Sequence, residues 1–407
     1  MGVFKYSPAD FLFTCVGLVF LLADIVLDIW AVVTFYQEKA YVCLGILVVF
    51  LVGSSVLVQA YSWIWYSYEK FDRKTKVERS PSLRLLKILH VFQLGIYLRH
   101  SGVFEMSVCS FLSKQNDPES TAVFLSHDLS MLRIIETFSE SSPQLVLMLT
   151  IILQRGDLEP VTVLKALGSA STVAFSVTMY HRSLRSFLPD KKRQNLLSSV
   201  VYFLWNLFLI SSRLTALALF ASVLPCFIFT HFICSWMVLF FFAWRSNTDF
   251  MDSPGGEWLY RATVGLIWYF NWFNVAEGRT RYTTLLYHGY ILVDIGLLCG
   301  LWSWKMRTDP PYHAFPHLYT IIIPVIVVAV YIFGLLFKMI YYKGYHPNLS
   351  KDELQSPAEK LSPDEPDGPP ALMRAAHEEI VVEDRSIPAP PELCNKRMRK
   401  LAANFYC

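Results

Sequence analysis

PADFLFTCVGLVFLLADIVLDIWAVVTFY, residues 8–36, is apolar over more than the roughly 20 residues a helix needs to cross a bilayer. It also exceeds the roughly 7–15-residue apolar core of a removable signal peptide, so it is expected to stay in place and span. Working outward, comparable runs begin near Tyr41, Leu129, Val161, Leu197, Pro225, Leu285 and His317. Of the 407 residues, 54% are hydrophobic and only 17% are charged, which is more apolar surface than a soluble core can absorb. The 11 Trp and 21 Tyr suit the headgroup belts of a membrane. The expected fold is therefore an all-α integral membrane protein.

The net charge of +3 is too small to point to nucleic acid. The eight cysteines contain no CxxC pair and fall mostly in apolar runs, so neither a metal site nor a disulfide framework is expected. No HExxH, GxSxG, P-loop or GxGxxG is present, and neither a cofactor nor bond chemistry is expected.

Two apolar segments do not read as simple spans. Leu83–Leu112 is interrupted by Lys87, His90, Arg99, His100 and Glu105, and Glu257–Val275 is short and runs into Ala276-Glu277-Gly278-Arg279. Basic loops mark the cytoplasmic side. Lys70, Arg73, Lys74, Lys76 and Arg79 follow the second span, and Arg182, Arg185, Lys191, Lys192 and Arg193 follow the fourth. Keeping both inside makes Leu83–Leu112 re-entrant. Keeping Lys338, Lys343 and the C-terminus inside makes Glu257–Val275 re-entrant as well. The expectation is eight crossings plus two re-entrant helices, with both termini cytosolic. The halves, about 1–190 and 191–345, repeat one order of elements as transporter repeats do, and a cytosolic tail occupies 346–407.

Charges within the spans carry the functional signal. Asp10, Asp24 and Asp28 are spaced by 14 and 4 residues, which places them within about 40° on one helix face over about 27 Å of rise. Each such carboxylate costs roughly 2.5–3.5 kcal/mol at a bilayer centre, so the face must meet protein, water or cations. In the third span Arg133, Glu136 and Glu140 share a face, Arg133 is in reach of Glu136, and Pro143 is expected to kink the helix beyond them. Arg213 and Asp294 read as lone charges in the fifth and seventh spans. These groups are either ion pairs that lock helices together or the lining of a hydrated polar pathway. Acids outnumber bases along the faces, so pairing alone cannot neutralise them.

The tail is rich in Pro, Glu, Asp and Ser, the composition of disorder. Within it, Asp364-Glu365-Pro366-Asp367-Gly368 fits an effector-caspase site, with Asp before the cut bond, a second Asp three residues earlier and a small residue after it. Farther on, Met398, Leu401 and Phe405 line one side of a short basic amphipathic helix, which can lie on an anionic leaflet or plug the membrane domain.

Asp128-Leu129-Ser130-Met131-Leu132-Arg133 through Pro143-Gln144-Leu145, Tyr202-Phe203-Leu204-Trp205-Asn206-Leu207, Thr248-Asp249-Phe250-Met251 through Glu257-Trp258-Leu259-Tyr260-Arg261, and Trp272-Phe273-Asn274-Val275-Ala276-Glu277-Gly278-Arg279-Thr280-Arg281 together resemble the XK-related family. The likeness runs from about Phe11 to His346. It implies eight spans with two re-entrant helices in related halves, and the activity of the family's caspase-activated phospholipid scramblases, which move phosphatidylserine between plasma-membrane leaflets in apoptosis. It also implies a single-pass immunoglobulin-type partner, basigin or neuroplastin. The family's intramembrane charges match Asp10, Asp24, Asp28, Glu136, Glu140, Arg182 and Asp294, while one further acidic position is Met179 here. A gated solute transporter or channel remains the alternative, and a scaffold held by ion pairs a third.

Overall fold

The computed structural model describes residues 8–112, 116–156, 160–187, 194–246, 248–275, 281–310 and 317–345. Among these there is no strand. The chain folds as α1 (Pro8–Gln37), α2 (Tyr41–Tyr68), α3 (Lys76–Arg79), α4 (Leu83–Val91), α5 (Gly95–Leu112) and α6 (Asn116–Glu136), then a π-helical turn (Thr137–Ser141) that runs into α7 (Ser142–Arg155), followed by α8 (Pro160–Phe187). The remainder is α9 (Leu196–Val223), α10 (Phe227–Arg245), α11 (Pro254–Phe270), α12 (Arg281–Thr308), α13 (Tyr319–Ile340) and a closing π turn (Tyr341–Tyr345).

Six of these helices are long and apolar enough to cross a membrane: α1, α2, α9, α10, α12, and α13 with its π turn. The α6–α7 rod carries Arg133, Glu136 and Glu140, and α8 is diluted by Gly168, Ser169, Ser171, Thr172, Ser176 and Thr178, so composition alone does not mark either as a span. The third long helix starts at Asn116, earlier than the expected Leu129.

Burial separates the helices sharply. In α9, 67% of the apolar window is buried, against 6% in α1. The run Ala216-Leu217-Ala218-Leu219 is apolar on every side, as a helix enclosed by neighbours must be, and α9 packs on α7, α8, α12 and α13. Leu21 is fully buried in α1, while Leu12, Val19, Leu22, Val26, Ile29 and Trp30 face outward.

The two awkward segments fold as short helices docked on longer ones. Between α4 and α5 the chain reverses through Gln93, whose φ of 65° lies in the left-handed region. Gly95 follows because a Cβ there would come within 2.4 Å of the His90 ring. The charges that interrupt the pattern are spent on anchoring. Arg99 donates from Nε to Ser62 Oγ (2.9 Å) and lies 3.9 Å over the Tyr66 ring of α2, while the Glu105 carboxylate accepts from the Val77 backbone N–H at 3.0 Å. α11 is capped by Ser253, whose Oγ accepts from the Gly256 N–H at 3.1 Å, and lies so close to α10 that a Cβ on Gly265 would meet the Phe240 backbone at 3.1 Å.

The two halves of the chain meet where Tyr61 of α2 donates to Thr263 Oγ1 of α11 (2.9 Å) and where Phe138 stacks on Phe270 at 6.2 Å.

Candidate functional site

All three aspartates of α1 bond to the bundle, beside the ring contacts of Phe11 with Phe111 and of Phe13 and Phe20 with Phe175. Asp10 Oδ1 accepts from Arg182 Nε (3.1 Å) and Nη2 (2.9 Å), and the same guanidinium lies 4.5 Å over Phe13. One turn-phase farther up the face, Asp24 Oδ2 accepts from Arg133 Nη2 at 2.8 Å, and Arg133 Nη1 donates to Glu136 at 2.8 Å, the pairing expected at a spacing of three. Asp28 Oδ1 accepts from Gln144 Nε2 at 2.9 Å. The single face expected for Asp10, Asp24 and Asp28 is the face that contacts α6, α7 and α8.

The irregularity of the third long helix lies just ahead of Pro143 and takes in Glu140 instead of lying beyond it. The π turn Thr137–Ser141 inserts an extra residue per turn. It is anchored by Ser139, whose Oγ donates to Ile135 O at 2.7 Å and lies 2.8 Å from Ser54 Oγ of α2. Around this turn Glu140 bonds to Ser54 of α2 and to Asp28 of α1, and Ser141 and Gln144 also meet α1.

Three cavities follow one another along this face. The first, about 110 Å³, is lined by Asp10, Arg182, Met179, His100 and Arg133. The second, about 210 Å³, is lined by Asp24, Asp28, Arg133, Glu136, Glu140, Gln59 and Gln93. The third, about 380 Å³, is lined by Asp24, Asp28, Gln144, Thr34, Glu38 and Arg155. Arg133 is shared by the first two, and Asp24 and Asp28 by the last two, so together they trace α1 from Asp10 to Glu38. At the far end Arg155 holds Glu38 through two hydrogen bonds, which keep that carboxyl below its ordinary range. A fourth cavity, about 10 Å³, sits among Tyr66, Glu78, Arg99 and Asp128.

Arg213 and Asp294 are not lone charges. Arg213 Nη1 donates to Asp294 Oδ2 at 2.5 Å, and His231 Nε2 lies 3.1 Å from the other carboxylate oxygen. His231 Nδ1 is 2.9 Å from Tyr269 Oη, and Arg213 Nε donates to the Tyr269 carbonyl at 3.1 Å. None of the four cavities above is lined by this cluster, which ties α9, α10, α11 and α12 together. Lys338 is buried, with Nζ 2.7 Å from His288 Nε2 and 5.2 Å over Trp205. Glu257 organises the loop ahead of α11: its carboxylate accepts from Thr248 Oγ1 and from the backbone N–H groups of Phe250 (2.9 Å) and Met251 (2.7 Å).

Gln59, Gln93, Gln144 and His231 were not singled out by sequence reasoning. A glutamine within the apolar run of α2 was the visible signal for Gln59, whereas Gln93 and Gln144 gain meaning only from the tertiary fold. Asp364, Asp367, Gly368, Met398, Leu401 and Phe405 lie outside the described residues. Among the described residues no group of three or more His, Cys, Asp or Glu could hold a metal ion.

The chain is 42% identical to XK-related protein 8 of Tetraodon nigroviridis over 410 residues, covering 100% of this chain and 98% of the relative. It is 39% identical to the protein of the same name from Gasterosteus aculeatus (99% and 98% covered) and 34% identical to that from Pan troglodytes (98% and 94% covered). The family profile described as XK-related protein matches residues 12–347, and the chain belongs to the XK-related family.

Proposed function

We propose that this protein is a phospholipid scramblase that moves phosphatidylserine and other phospholipids in both directions between plasma-membrane leaflets without an energy source. The observation that supports this reading best is the series of three cavities along α1, lined by Asp10, Arg182, Asp24, Arg133, Glu136, Asp28, Glu140 and finally Glu38 with Arg155. The outer side of α1 is bare of protein, so headgroups can pass along its charged face while acyl chains stay in lipid. The barrier to flip-flop is the cost of carrying a charged headgroup through hydrocarbon. A chain of charged and hydrogen-bonding side chains lowers that cost at every depth, and no bond is made or broken.

In this reading α1, α2, α6–α7, α8, α9, α10, α12 and α13 cross the bilayer, α4–α5 and α11 are re-entrant, and both termini are cytosolic. The tail holds the route closed through the helix carrying Met398, Leu401 and Phe405. Effector-caspase cleavage between Asp367 and Gly368 removes that helix and shifts the equilibrium to the open state. Basigin or neuroplastin is the single-pass partner.

Two experiments test this. Full-length protein reconstituted in vesicles without ion gradients moves fluorescent lipids between leaflets once treated with caspase, whereas gradient-coupled solute uptake without lipid movement would establish a transporter. In cells, Asp367→Ala leaves surface delivery intact and abolishes caspase-triggered phosphatidylserine exposure; normal annexin staining of that variant overturns the proposed activation.

A further inference from the structure

The second cavity is unbalanced. Four carboxylates line it, Asp24, Asp28, Glu136 and Glu140, against one guanidinium, Arg133, which is already committed to Asp24 and Glu136 at 2.8 Å each. Asp28 and Glu140 have no cationic partner among the described residues. A second observation comes from the opposite wall. Gln59 is only 4% exposed, lines the same cavity, and neither its Oε1 nor its Nε2 has a hydrogen-bond partner within the protein. Leaving a buried amide unpaired is costly, and here both ends of one amide are unpaired beside a cavity that can hold a polar group. Gln93 shares the wall. It is held there by its left-handed backbone and by Ser55, which donates to its Oε1 at 2.8 Å.

At about 210 Å³ the space far exceeds the roughly 10–15 Å³ that one water requires. Its carboxylates are not gathered tightly enough to ligate a metal ion. An ammonium group matches what is present, because it presents three donors and no acceptor, and the Gln59 carbonyl and the Asp28–Glu140 pair, whose carboxyl groups are bonded to each other, border one cavity.

We infer that this chamber is a recognition site for the ammonium group of a phospholipid headgroup, with Gln59 as its specificity-determining residue. The inference rests on the scramblase reading and deepens it: headgroups that carry an amine pause here midway along α1, and headgroups that lack one do not.

The test uses the full chain, caspase-treated, in phosphatidylcholine vesicles containing trace acyl-chain-labelled phosphatidylserine, phosphatidylethanolamine or phosphatidylglycerol. Phosphatidylserine and phosphatidylglycerol carry the same net charge, and only the former has an ammonium. Wild type is expected to move phosphatidylserine and phosphatidylethanolamine about tenfold faster than phosphatidylglycerol, the discrimination that one charge-assisted hydrogen bond supplies. Gln59→Met should erase that ratio by slowing the amine lipids alone, and Gln59→Glu, which keeps the acceptor, should preserve it. Equal rates for all three lipids in wild type, or an equal loss for all three in Gln59→Met, overturns the ammonium site while leaving scrambling intact. Wild type that moves no lipid overturns the scramblase reading instead. The wild-type comparison needs no variant to fold.

Discussion

The charges beside α1 and the charges around Arg213 read alike in a hydropathy profile, yet the fold treats them in opposite ways. Around Arg213 one guanidinium and one carboxylate are balanced in charge and packed with an imidazole between four helices, with Arg213 only 1% exposed, its Nη1 and Nε bonded and its Nη2 left without a partner. Beside α1 the acids outnumber the bases, the contacts are spread over three cavities, and the helix that carries half of them is scarcely buried. A balanced, enclosed cluster holds helices together. An unbalanced one that borders open space has an interaction left to give, and that is what a lipid headgroup needs.

The sharpest way to break this contrast is Arg213→Met. Removing one partner of a buried pair strands Asp294 and is expected to cost about 3–5 kcal/mol, read as a large drop in melting temperature and surface yield. Adding Asp294→Leu should recover most of the loss, because the double variant leaves no buried charge behind. If the single variant melts like wild type, the cluster is not a lock.

A second prediction concerns the packing of α11 on α10. Gly265 lets α11 sit on the Phe240 backbone of α10, and a Cβ there would approach it to 3.1 Å. Gly265→Leu should therefore cost about 1–3 kcal/mol through overpacking, measured by thermal unfolding in detergent. Glycines of α1 and α2 offer a control within the same molecule: Gly17 and Gly53 have nothing within 4 Å of a built Cβ, so Gly17→Ala and Gly53→Ala should leave stability unharmed.

On the other side of the contrast, Glu140→Gln removes a carboxylate that has no cationic partner among the described residues. Melting temperature should hold or rise, since less charge is buried, while lipid movement should fall about tenfold if one charge-assisted contact to the headgroup is lost. A variant that is destabilised but still fully active would move Glu140 into the structural class.

The long apolar helices could be read from their runs of residues, and the two short docked segments from the charges that interrupt them. Asp10, Asp24 and Asp28 were visible as one set, and Arg133, Glu136 and Glu140 as another, because helical spacing alone aligns the members of each. What escaped was set by contacts between residues distant in sequence. Arg213 and Asp294 are 81 positions apart, so nothing local announces their bond. The π turn depends on Ser139 meeting Ser54 across 85 positions. The contacts of Lys338 with His288 and Trp205 were likewise hidden, His288 lying 50 positions away. The tail motifs at Asp367 and Met398 stand on sequence alone.

The smallest expected effect lies at the far end of α1, and it tests whether the contrast follows burial as well as charge balance. Glu38 and Arg155 form a two-point pair like that of Asp10 and Arg182, but their side chains are 36% and 47% exposed. Exposed pairs contribute about 0.2–1 kcal/mol, so Glu38→Gln should barely shift the melting temperature at pH 7. The sign of its pH dependence follows from the lowered pKa that Arg155 imposes on Glu38. A carboxyl depressed by folding adds stability above its ordinary value of 4.5 and loses it as pH falls through the folded value. The difference between wild type and Glu38→Gln should therefore be constant from neutral pH down to about pH 5 and vanish in stronger acid. It should also shrink in about 1 M salt, where screening reaches roughly 3 Å. A loss as large as that of Arg213→Met would mean that geometry alone makes an ion pair structural; a loss within the exposed-pair range means that enclosure does.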